Sequence, residues 1–121
     1  MMDWSDKQTQ EIAWKNASSF ETDDPHQWKV CYICYPDFKD KFINGTRFPD
    51  GRIKEKDEVR MKNDLYNRND SQFGWVVDHI DGNKKNNDPS NLVAVHCECA
   101  NRKKHSDYSA QFKEYKKNSN Q

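Results

Sequence analysis

The run Val77-Asp78-His79-Ile80-Asp81-Gly82-Asn83, then Asn91-Leu92-Val93-Ala94-Val95, then Cys99-Ala100-Asn101-Arg102-Lys103, decides the fold of this 121-residue chain. Phe73 to Ile80 is rich in aromatic and β-branched residues and predicts a strand. Leu92 to Val95 predicts a second, short apolar strand. Asp81 to Ser90, between them, is polar and carries Gly, Pro and Asn, the composition of a loop. A helix is predicted to start near Cys99. Neighbouring residues on a strand send their side chains to opposite faces, so Asp78 and His79 serve one site only where the strand ends or bends. The turn formers Asp81-Gly82-Asn83 supply that bend.

Working outward, Cys31-Tyr32-Ile33-Cys34 forms a knuckle whose spacing lets two thiolates grip one tetrahedral ion. His96 and Cys99 repeat the same spacing and complete a Cys3His set. Cys97 is the competing ligand within His96-Cys97-Glu98-Cys99. Close cysteine pairs of this kind suggest one structural zinc rather than disulfides, in a reducing, cytoplasmic setting. Trp28 to Cys31 reads as a strand leading into the knuckle. Ser5 to Gln8 reads as a capping box opening a first helix, with Ile12, Ala13 and Ala17 on one face. Asn44-Gly45 and Pro49-Asp50-Gly51 predict one or two hairpins within residues 38–54. Residues 54–66 fit helix and strand equally well. Tyr108, Phe112 and Tyr115 are spaced for one face of a C-terminal helix.

Composition makes a staple necessary. Only 33% of residues are hydrophobic and 33% are charged, with a mean hydropathy of −1.29. Such a chain buries a thin core, and small thin cores need a metal or a disulfide. Aromatics at 12% argue against simple disorder. No apolar stretch approaches the roughly 20 residues of a membrane span, and the N-terminus lacks the pattern of a signal peptide. A membrane protein and a secreted precursor are both unexpected. Twenty basic residues balance twenty acidic ones, so no overall basic surface announces a nucleic-acid partner.

The quoted residues resemble the HNH endonuclease family, built on a ββα-metal motif: Asp-His-Ile near a strand end, Asn-Leu about a dozen residues on, then Cys-His-x-x-Lys opening a helix. The resemblance covers roughly residues 28–105, with 1–27 as an N-terminal helical extension and 106–121 as a C-terminal helix and tail of one domain. It implies a metal-dependent endonuclease acting on DNA. His79 is then the general base, since an imidazole can take a proton from water near neutral pH. Asp78 is a hard oxygen ligand for magnesium or manganese. Asn91 holds the loop, and through it His79. The family places His or Asn at position 100 as a second metal ligand, and this chain has Ala100, whose methyl group cannot coordinate a cation. A substitution made to silence the enzyme, a natural loss of activity, and a substitute ligand at Asn101 or His105 are the three accounts. Lys84, Lys85, Arg102, Lys103 and Lys104 are the expected phosphate contacts. A homodimer, or a phage or mobile-element partner protein, fits the family. The alternatives are a non-catalytic zinc-stapled module binding nucleic acid or protein, and an RNA-cleaving toxin.

Overall fold

The computed structural model describes residues 6–20, 22–35 and 56–119. The hairpins expected over 38–54 and the cap at Ser5 lie outside these residues. In chain order the elements are helix α1 (Asp6–Asn16), strand β1 (Trp28–Val30), the one-turn helix α2 (Lys56–Val59) and strand β2 (Arg60–Lys62). Strand β3 (Trp75–His79), strand β4 (Leu92–His96), helix α3 (Cys97–Lys103) and helix α4 (Ser109–Ser119) follow. The stretch that fitted helix and strand equally well contains both: a helical turn, a strand and a 3-10 turn at Asn63–Leu65. Helix α3 begins two residues before the expected Cys99.

Two antiparallel pairs make up the strands of the described residues. β1 pairs with β2, Lys29 opposite Met61. β3 pairs with β4, with Trp75 opposite His96 and His79 opposite Leu92. Every residue of β4 is buried, because helix α1 packs along it and α3 follows directly from its end. The expected face of α1 is largely correct: Ala13 and Ala17 are buried and Ile12 is partly so, with Trp14 added. Trp14 lies against Trp75, ring centroids 5.1 Å apart. The α1 segment is therefore part of the same core as β3 and β4.

Side-chain hydrogen bonds reinforce this packing. The Asn16 amide donates to Pro89 O at 2.7 Å and Leu92 O at 2.8 Å, tying the end of α1 to the start of β4. Helix α4 brings Phe112 and Tyr115 against Tyr32, as the spacing predicted. The Tyr115 hydroxyl donates to Val30 O at 2.6 Å, so the last helix is pinned to the strand that leads into the knuckle. No described helix is long and apolar enough to cross a membrane.

Candidate metal centre and catalytic cleft

A cluster of sulfur ligands joins the two halves of the fold. Cys31 and Cys34 follow β1, while His96 ends β4 and Cys99 lies in the first turn of α3. Their four ligand atoms lie within 4.8 Å of one another, and all four residues are buried. Cys34 Sγ is 3.2 Å from His96 Nδ1, and Cys99 Sγ is 4.0 Å from it. Ligands of tetrahedral zinc stand about 3.5–3.8 Å apart, given its bond lengths, so this donor set fits a zinc ion. His96 Nε2 lies 2.7 Å from Arg60 O. A carbonyl only accepts, so Nε2 carries the hydrogen and Nδ1 keeps the lone pair facing the sulfurs. The His96 backbone N–H donates to Cys31 Sγ at 3.4 Å. Burial pushes the Cys31 thiol up, but hydrogen bonds from Cys34, Cys99 and the His96 backbone outweigh it and hold Cys31 well below the usual thiol range. Cys97 stands outside the cluster and faces a cleft with Glu98 and Arg102. The cluster that could hold an ion therefore contains His96 and leaves out Cys97.

The second site is a cleft lined by Val77, Asp78, His79 and Gly82 on the strand side, and by Ala100, Asn101, Lys104 and His105 on the helix side, with Lys84 at its edge. Strand β3 ends at His79, which is how two adjacent residues come to line one cleft. Their side chains nonetheless have different partners. The Asp78 carboxylate is buried; Oδ2 accepts from the Tyr32 hydroxyl at 2.9 Å, and Oδ1 lies 3.3 Å from Lys103 Nζ. Burial pushes its pKa above the ordinary carboxylate value, an effect that Lys103 and Tyr32 partly offset. His79 Nε2 instead meets Asn87 Oδ1 at 2.9 Å.

The loop between β3 and β4 is ordered by its own side chains. Asp81, Asn83, Asn86 and Asp88 each accept from the backbone N–H two residues on, a succession of Asx turns. Asn91 closes the loop. Its Nδ2 donates to Asp81 Oδ1 at 3.0 Å and Asn86 O at 2.9 Å, and its Oδ1 accepts from the Asp81 N–H at 3.0 Å. Gly82 adopts φ +79°, and a Cβ there would lie 2.1 Å from His105 O. Only glycine lets the chain after α3 approach the loop so closely. Lys104, at φ 54°, makes the turn that brings His105 there.

Of the expected cations, Lys84 and Lys104 line the cleft, and Lys85 is exposed on the loop beside it. Lys103 is a correction. Its side chain is fully buried and donates to His79 O at 2.8 Å while pairing with Asp78, so it is not a surface phosphate contact. Helical spacing from Asn101 and Lys104 did not reveal that the intervening side chain turns inward to a buried carboxylate. Arg102 donates to Cys99 Sγ at 3.3 Å, beside the knuckle. Tyr32 and Asn87 are polar partners that the sequence reading passed over. Tyr32 stands inside the quoted knuckle, and Asn87 is one of several Asn in the loop, none distinguished by spacing.

As a site for a hard divalent cation, the cleft is incomplete. Among the described residues Asp78 is the one carboxylate lining it, and the Ala100 side chain offers no donor. The imidazole, the carboxylate and the flanking lysines can still activate a water and hold a phosphate. No curated protein and no solved structure gives a match. A family model described as HNH endonuclease does match, over residues 71–101. That stretch holds both strands of the hairpin, the Asx-turn loop and the start of α3, and it is similar to the HNH endonuclease family.

Proposed function

We propose that this protein hydrolyses phosphodiester bonds of DNA, with His79 as the general base that takes a proton from the attacking water. The observation that carries this reading is the meeting of His79 and Asp78 at one cleft whose opposite wall is helix α3. The knuckle of Cys31, Cys34, His96 and Cys99 holds a structural zinc with all four positions taken by protein, leaving none for chemistry. A magnesium or manganese ion at the cleft would stabilise charge on the scissile phosphate. Asp78 would be its carboxylate ligand among the described residues. Asn101 and His105 line the same cleft and are the available substitutes for the donor that Ala100 lacks. Asn91 shapes the loop that carries the partner of His79. Lys84, Lys85 and Lys104 contact phosphates on either side of the scissile bond, and Arg102 contributes from the knuckle side.

A non-catalytic, zinc-stapled nucleic-acid-binding module is the second reading. It is favoured by Ala100 and by the engagement of Asp78 with Lys103. Plasmid nicking with magnesium or manganese separates the two. The Ala100→His variant is expected to cleave, and Ala100→His with His79→Ala is not. No cleavage by Ala100→His, with zinc content and fold intact, favours the binding module. A labelled RNA competitor that is cut in preference to DNA overturns the choice of DNA.

A further inference from the structure

The Asn91 amide is engaged with Asp81 and Asn86. Asn87, one residue further along the loop, presents Oδ1 to His79 Nε2 at 2.9 Å. An amide oxygen only accepts, so Nε2 carries the hydrogen and the lone pair resides on Nδ1. We propose that Asn87 is a positioning residue: it locks His79 as the Nε2–H tautomer and so makes Nδ1 the atom that receives the proton from water. The inference rests on the nuclease reading for its catalytic meaning, but the tautomer is a property of the folded chain alone.

Two features make the lock effective. An imidazole at a strand end, half exposed, otherwise turns about its side-chain bonds and samples both tautomers. Asn87 is also held on each side. The Asn86 carbonyl accepts from Asn91, the Asn86 amide donates to Asp81 Oδ2 at 2.9 Å, and the Asp88 N–H donates to Asn86 Oδ1. Asn91 therefore acts on His79 at second hand, by holding the backbone that carries Asn87. An Asp at 87 keeps an acceptor in place, whereas Ala removes it.

The test uses the zinc-loaded full chain with 15N-labelled histidine at pH 8.5, with the His79 ring resonances identified by their loss in His79→Gln. The Nδ1 and Nε2 shifts are expected to report one Nε2–H tautomer in the wild type and in Asn87→Asp, and a mixture in Asn87→Ala. In the Ala100→His background, Asn87→Ala is expected to lower kcat about tenfold at unchanged KM, part of the roughly 10²–10⁴-fold that a positioned base contributes, while Asn87→Asp retains kcat. A wild-type Nδ1–H tautomer, or shifts unmoved by Asn87→Ala, overturns the proposal, as does an altered tautomer with unchanged kcat. The expected shifts together with no cleavage by Ala100→His would uphold the lock and defeat the nuclease reading instead.

Discussion

The Tyr32 hydroxyl donates to Asp78 Oδ2 at 2.9 Å. Tyr32 sits between the two cysteines of the knuckle, and Asp78 faces the cleft, so one hydrogen bond connects the two sites. Replacing Tyr32 with Phe keeps the ring against Tyr108, Phe112 and Tyr115 and removes only that bond. The expected loss is about 1–3 kcal/mol, since a buried carboxylate loses a donor. Urea denaturation measures it, and zinc content should not change. A loss within error would show that Asp78 does not depend on Tyr32.

Metal analysis should find one zinc per chain, and chelation should unfold the protein, since structural zinc supplies about 10–16 kcal/mol in small zinc peptides. Cys99→Ser and His96→Ala are expected to lose the ion. Cys97→Ser is expected to keep it, because Cys97 lies outside the cluster. Retention of zinc by His96→Ala together with loss by Cys97→Ser would reverse the ligand assignment.

Lys103 and Asp78 form a buried ion pair. Lys103→Met leaves the carboxylate without its cation and should destabilise the fold by about 3–5 kcal/mol at neutral pH. Adding Asp78→Asn should restore part of that loss. A double-mutant cycle with no coupling would remove the pair from the account of stability.

Asp81 carries a pH dependence of stability. The Asn86 amide, the Asn83 N–H and Asn91 hold its carboxyl below the ordinary range. A folded-state pKa below the unfolded value of about 3.9 contributes stability that is present above that value. The contribution is lost as pH falls through the folded-state value. The gap in melting temperature between wild type and Asp81→Asn should therefore be open at pH 6 and narrow toward pH 2. A gap independent of pH would show that these hydrogen bonds do not favour the ionised form.

Much of this was legible in the sequence because its signals are local or repeat at fixed spacing. The x2 spacing in Cys31-x2-Cys34 and in His96-x2-Cys99 located the cluster, and aromatic and β-branched runs located β3 and β4. The spacing of Phe112 and Tyr115 located the inward face of α4, whereas Tyr108, expected on the same face, packs on the core from just before the helix. The inward turn of Lys103 was not legible, since a lysine on a short helix reads as solvated until its burial beside Asp78 is known. Nor was the choice of Asn87 among the loop asparagines, which depends on the path of an irregular backbone. The Arg60 carbonyl that fixes the His96 tautomer left no trace, because any residue supplies a carbonyl.

The grip of the Asn16 amide on Pro89 O and Leu92 O bears on how the protein can be cut down. A fragment starting at Trp28 would retain every cysteine, His79 and the whole hairpin, yet it would expose one flank of β4 and free the carbonyls that steady the exit of the Asx-turn loop. Trimming to the recognisable motif would thus discard the α1 contacts on which the hairpin rests.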